Sequence, residues 1–203
     1  SYEAGADHFI AKDWKISATF FQRHHSRLID YVPTHYDQMP RKVNLTPMGS
    51  YALAKNIASV KTTGIETDIQ FDRQWNKNSG LWATLGLVFL KSVSSEQTPS
   101  LYISSHARFL TNFNVLYNSG KVSFALNGIY KKRRAQEASV DIAKVSKNYF
   151  ILNANAECFV WRKNTSVFVE ANNIFDISYS DILGAQMPGL WLMVGFKISL
   201  AKE

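Results

Sequence analysis

One cysteine, Cys158, stands in 203 residues. An internal disulfide is therefore impossible, and so is any multi-cysteine zinc or iron–sulfur site. Five prolines and ten glycines exclude collagen and proline-rich disorder. Charged residues make up 19%, below the roughly 25% of a typical soluble domain. The longest apolar run lies near residues 85–90, far short of the about 20 residues that a membrane helix needs. The opening Ser1-Tyr2-Glu3 carries neither a basic nor an apolar leader segment, so no signal peptide is expected within it. Motifs of enzymes are also missing: there is no G-x-S-x-G elbow, no P-loop and no H-E-x-x-H. Ser26, His24 and Asp30 are nominal members of a triad, but they follow one another along one segment and are badly placed to converge. No enzyme activity is expected.

What is present is aromatic and apolar: 13% aromatic, 46% hydrophobic, with a net charge of +7. The dominant hydrophobic period is two, the signature of strands. Ile65, Thr67, Ile69 and Phe71 alternate with Glu66, Asp68, Gln70 and Asp72. Phe109, Thr111, Phe113 and Val115 alternate with Leu110, Asn112 and Asn114. Leu190, Leu192, Val194, Phe196 and Ile198 alternate with Trp191, Met193, Gly195 and Lys197. Nine such runs lie near residues 2–11, 14–31, 55–73, 81–93, 104–118, 121–134, 148–162, 165–175 and 189–200. Many have ten or more residues, against a usual five or six in globular proteins. That length suits a tilted strand crossing a membrane.

The connections alternate in length. Residues 12–13, 74–80, 118–120 and 163–164 make short turns, whereas 35–54, 94–103, 135–147 and 176–188 make longer loops. Short turns at one end and long loops at the other are the layout of an outer-membrane barrel. The expected fold is all-β: an antiparallel up-and-down transmembrane β-barrel segment of about nine strands, incomplete as a barrel. A soluble β-sandwich also alternates apolar and polar residues, but it has no reason to keep this parity of connections.

On that fold, one face of every strand is apolar and points to lipid. The mixed face, with Glu66, Asp68, Asp72, Asn112, Asn114, Asn127, Asn153, Asn155, Glu157, Glu170 and Asn172, points to the lumen. Trp14, Trp75, Trp82, Tyr117, Tyr130 and Trp161 lie near strand ends, as an interfacial girdle requires; Trp191 belongs to the girdle or the lumen. Adjacent His24 and His25 point to opposite faces, so they do not form a haem-ligating pair. The run Lys131-Lys132-Arg133-Arg134 is expected at a solvated basic rim near lipopolysaccharide phosphates, rather than on nucleic acid.

Four segments carry a family resemblance. Val167-Phe168-Val169-Glu170-Ala171-Asn172-Asn173-Ile174-Phe175-Asp176 resembles the "v-x-N-L-F-D" segment near the end of TonB-dependent outer-membrane receptors. Met187-Pro188-Gly189 and the run to Leu200 resemble the family's "P-G-R-x-x-x-x-G-x-x-y-x-F" ending, with Leu190 in the place of Arg and Leu200 in that of the terminal aromatic. Asn56 to Asp68 resembles "N-x-x-x-a-x-x-x-G-v-E-x-e", and Phe20 to Val32 the strand before it. The segments stand in the family's order across the chain.

The resemblance implies that residues 1–203 are the C-terminal part of a receptor barrel of about 22 strands, with the plug domain outside the chain. It implies active uptake of a scarce ligand, a ferric siderophore, haem, cobalamin or glycan, energised through TonB in the outer membrane of a Gram-negative bacterium. Partners would be the transported small ligand, outer-membrane lipid and lipopolysaccharide, the receptor's own plug, and the TonB complex through the N-terminal part. No cofactor, metal set or nucleic acid is expected. The family's long loops face outward, and loop 35–54 is the longest. Its His35, Tyr36, Met39, Met48 and Tyr51 are the candidate ligand contacts, because rings and thioethers offer large adaptable surfaces. A passive porin or channel, and a soluble β-sandwich binding module, are the alternative readings.

Overall fold

The computed structural model describes residues 1–94, 107–133, 136–137, 144–161, 164–181 and 185–199. Nine strands form one antiparallel sheet in chain order. They are β1 (Tyr2–Ile10), β2 (Trp14–His35), β3 (Ser50–Asn76), β4 (Ser79–Ser94), β5 (Ala107–Ser119), β6 (Val122–Arg133), β9 (Asn148–Trp161), β10 (Thr165–Asn172) and β11 (Trp191–Ile198). Two-residue strands β7 (Gln136–Glu137) and β8 (Lys144–Val145) form a separate ribbon between β6 and β9. The nine expected runs are these nine strands. A single sheet, not two packed ones, sets aside the sandwich.

Register assigns the faces, since directly paired residues share one. Row by row, Ile69 pairs with Leu85, Leu85 with Phe113, Phe113 with Gly128, and Gly128 with Leu152. Val167, Val169 and Ala171 continue this apolar face opposite Phe196, Val194 and Leu192. It is open to its surroundings, with Phe196 72% and Val194 74% exposed. The alternate rows carry Asp68, Gly86, Asn112 and Ile129, or Gln70, Thr84, Asn114 and Asn127. The carboxylates and amides expected on the mixed face all fall there.

Tight turns close one end. Ala11 and Gly120 take positive φ, 58° and 73°, and the Asn76 side chain accepts the Asn78 amide at 2.9 Å. At that end Trp14 packs on Phe71, and Trp75 meets Tyr117 edge-on, on the apolar face. Near the other end Phe89, Phe109 and Tyr130 form a second aromatic cluster. Phe109 and Tyr117 are eight residues apart on β5, about 27 Å along a strand, and a tilt of about 40° brings that to about 20 Å. Two aromatic bands at that spacing bracket the hydrocarbon of a bilayer. Trp82 is a correction to the expected girdle: it pairs with Leu116 on the polar face. Trp191, opposite Asn172, takes the lumen side of its two expected places.

β2 and β3 are longer than the alternation indicates. β1 pairs with β2 only to Gln22, and β4 with β3 only to Val60. Beyond those points β2 and β3 pair solely with each other among the described residues, out to His35 opposite Ser50. Among the described residues this part is a two-stranded ribbon that includes Pro33; Val32 and Thr34 are buried on one of its faces, and Ile29 and Tyr31 are exposed on the other. The loop expected over 35–54 is thereby shortened to 36–49. The expected loop 94–103 lies mostly outside the described residues, as do much of 135–147, Lys163, Arg134, His106 and the chain from Leu200 on.

Leu85 lies midway between the aromatic bands on the apolar face, and Asn112 lies near it on the other. In the complete receptor, Leu85→Arg is expected to cost about 2–4 kcal/mol. Asn112→Arg should cost under about 1 kcal/mol. Urea unfolding of both variants in lipid vesicles checks the difference.

Candidate ligand-binding site

The five candidate residues gather on the ribbon tip. The His35 and Ser50 pair ends the ladder, with Ser50 Oγ 3.3 Å from His35 Nδ1. Tyr36–Gln38 make one 3-10 turn, closed by the Met39 amide on the Tyr36 carbonyl at 3.2 Å. The Tyr36 amide reaches back to the Gly49 carbonyl at 2.8 Å, and Lys42 Nζ lies 5.1 Å from the Tyr36 ring centre. The Tyr51 hydroxyl donates to the Thr46 carbonyl at 3.0 Å. The His35 ring and the Tyr51 hydroxyl thus hold the tip together. Met48 is the most open of the five, 95% exposed with φ of 68°. Among the described residues no group of three or more His, Cys, Asp or Glu is placed to hold a metal. His24 contacts its own strand neighbour, with Nε2 3.0 Å from Gln22 Oε1.

The last loop carries the denser chemistry. Arg133, expected on a solvated rim, is instead 3% exposed. Its guanidinium donates to the carbonyls of Ser146, Ser180 and Asp181 at 3.0, 3.0 and 3.2 Å, and pairs with Asp181 Oδ1 at 2.9 Å. The same oxygen accepts Lys131 Nζ at 2.9 Å and the Tyr149 hydroxyl at 2.8 Å. Tyr149 and Tyr179 rings pack 4.5 Å apart. Burial works against the Asp181 charge, but hydrogen bonds from Lys131 and Tyr149 and the Lys131 and Arg133 cations outweigh it. They hold its carboxyl below the usual carboxylate range. Asp181 was not singled out from the sequence, although it is the one carboxylate between Asp176 and Glu203.

The base of this loop is pinned as well. Asn173, with φ of 50°, takes the chain out of β10. Its side chain donates to the carbonyls of Ile177 and Pro188 at 2.9 and 3.2 Å and accepts the Ile177 amide at 2.9 Å. Asp176 Oδ1 accepts the Leu190 amide at 2.8 Å. A Cβ on Gly189 would collide with that carboxylate. The Asn173-Ile174-Phe175-Asp176 segment is therefore a clasp that ties the loop's two ends together.

Below the loops the polar face forms a hydrogen-bonded wall. Asn114 donates to Thr84 at 3.1 Å, and Asn127 to Asn114 at 3.3 Å. Asn153 accepts the Asn173 amide at 2.8 Å. Glu157 accepts Ser166 and pairs with Lys197 at 2.8 Å. A cleft of about 330 Å³ lined by Gln74, Lys77, Asn118 and Phe159 lies at the opposite, tight-turn end.

Residues 1–174 match the family described as TonB dependent receptor-like, beta-barrel. The chain belongs to that family. Its members are transporters and receptors of the Gram-negative outer membrane, not enzymes. No curated protein matches at a significant level. Solved structures share the fold at low identity. The copper transporter OprC aligns over 97% of this chain and 30% of its own, at 15% identity and a TM-score of 0.64. The ferripyoverdine receptor of Pseudomonas aeruginosa does so over 97% and 26%, at 16% and 0.65. The FrpB iron transporter of Neisseria meningitidis does so over 97% and 30%, at 14% and 0.63. This receptor chain thus spans less than a third of each of these structures. In the TonB-dependent barrel the apolar face meets lipid and the amide wall lines the interior.

Because the folded Asp181 pKa is depressed, its pairing is fully present above the unfolded value of about 3.9 and is lost as pH falls through the lower folded value. Protection of residues 173–190 from protease in the full-length receptor should stay level from about pH 8 to pH 5 and fail only in stronger acid. Arg133→Ala leaves three carbonyls without their donor, while the part-exposed Asp181 carboxylate keeps Lys131 and Tyr149, and should cost about 1–3 kcal/mol. Cleavage within the loop at neutral pH checks this.

Proposed function

We propose that this chain is the C-terminal wall of a TonB-energised receptor, with its plug domain in sequence beyond it. The receptor captures a scarce small ligand at its outer loops and takes it inward along the amide wall. No chemical bond is made or broken. The observation that carries this reading is the separation of faces across nine strands, with a continuous row of amides and hydroxyls behind a lipid surface that is apolar between its two aromatic bands. Such a wall hydrates a lumen and gives a plug polar contacts to hold and release.

The ligand class remains a ferric siderophore, haem, cobalamin or glycan. Family membership supports coupling to TonB. The structural neighbours, a copper transporter and a ferripyoverdine receptor, support a metal or metal chelate as cargo. The ribbon tip with His35, Tyr36, Met39, Met48 and Tyr51 is the first contact surface, and Met48 is the group there with most freedom to meet cargo. A passive channel would use the same wall without a plug.

His35 and Ser50 form a closing pair of the ladder, so residues 36–49 can be replaced by an Asn-Gly turn without disturbing the strands. In the full-length receptor this replacement should weaken cargo binding at least tenfold, read by titration with ferric chelates and haem. Barrel assembly should be unchanged, since closing a shorter loop costs little. Unaltered affinity and uptake would remove the tip from the site. Uptake that persists without an energised inner membrane would instead favour the passive channel.

A further inference from the structure

The lipid face carries an uneven distribution of charge. Every Asp and Glu of the nine-stranded sheet outside the two-stranded ribbon falls on the polar face, Glu66, Asp68, Asp72, Glu157 and Glu170 among them. The lipid face, in contrast, bears lysines at its loop end. Lys61 stands opposite Val93, Lys91 opposite Thr63, and Lys132 opposite Phe109. All three are exposed, and none has an ion-pair partner among the described residues. Lys131, one position along, is the contrast: it faces the other way and is paired to Asp181.

These lysines lie at one depth. Ile65, Phe89, Phe109 and Lys132 form one hydrogen-bonded row across β3, β4, β5 and β6. Lys61 is four residues loopward of that row, Lys91 two, and Lys132 is on it. The line through them therefore drops four residues over three strand steps. The tight turns drop at the same slope. In the row from Trp14 through Phe71, Ala83, Val115 and Leu126 to Ala154, β2 starts on the row, whereas β9 ends at Trp161, seven residues beyond it and five strand steps away. Strand tilt makes that slope the line parallel to the membrane. Just below the line of lysines lies the aromatic cluster of Phe89, Phe109 and Tyr130.

The geometry points to a binding site for phosphorylated lipid headgroups of the outer leaflet, formed on the outside of the wall by Lys61, Lys91 and Lys132. Aromatic rings mark the level where acyl chains give way to headgroups. Cations directly above that level, with no carboxylate on their face, meet phosphates at low desolvation cost. Neighbouring strands are about 4.8 Å apart, so the row from β3 to β6 spans about 15 Å, enough for more than one phosphate of one headgroup. The inference uses only the wall's seat in the outer leaflet and is independent of cargo uptake.

The test uses the full-length receptor in neutral detergent, titrated with lipopolysaccharide, with dephosphorylated lipopolysaccharide and with inorganic phosphate. The triple variant Lys61→Gln, Lys91→Gln, Lys132→Gln is compared with a control, Lys12→Gln, Lys77→Gln, Lys121→Gln, which makes the same charge change at the tight-turn end. At about fivefold per lysine, the first variant should bind lipopolysaccharide about a hundredfold more weakly, and the control should bind like the parent. The parent should discriminate against the dephosphorylated lipid and bind inorganic phosphate weakly. A loss under threefold in the first variant, an equal loss in the control, or no preference for the phosphorylated lipid would overturn the proposal. Inorganic phosphate binding as tightly as the lipid would overturn it too, by marking a soluble-anion site. Gel mobility of unheated samples confirms that both variants hold a folded barrel.

Discussion

Pairing of backbone amides and carbonyls is the constraint on which the rest depends. In hydrocarbon an unpaired peptide group costs several kcal/mol, and water is not there to take its place. The nine strands answer with an unbroken antiparallel meander, each strand hydrogen-bonded to the next in chain order. Once the backbone is satisfied sideways, apolar side chains are released from making a core. Few are buried, Phe21, Val60 and Ile151 among them, while Phe196, Val194 and Leu192 stand open. The hydrophobic effect acts on the whole wall, outward, instead of on an interior.

The inner surface follows a different rule. Its side chains pair across strands, as Thr84, Asn114 and Asn127 do, so that a polar wall keeps its shape while wet. Glycine makes room where groups crowd. A Cβ at Gly86 would stand 2.8 Å from Asn112 Oδ1 and 3.2 Å from Asp68 Oδ1. Both polar groups reach across a position that holds no side chain. At the loop end the same economy of polar contacts becomes a lock, with three donors on one oxygen of Asp181.

The wall was legible because a period of two is written into every strand that has a lipid side. Ile65 to Phe71 and Leu192 to Ile198 show it without help from any neighbour. The parity of turns and loops followed from the same reading. What escaped was the extent of β2 and β3, because Pro33 and the polar residues from Pro40 to Ser50 read as loop while the ladder runs on to His35 opposite Ser50. Trp82 sits near a strand end as a girdle would, yet its register turns it inward, and only pairing with Leu116 settles that. Arg133 looked like one cation of a basic rim, because its partners, Ser180 and Asp181, are more than forty residues away. Contacts of that span leave no local pattern.

The clasp has a mechanical consequence. Asn173 and Asp176 tie the two ends of the last loop together, and Arg133, Lys131 and Tyr149 hold it again at Asp181. A load on this loop passes straight into β6, β9 and β10, so the loop moves with the wall.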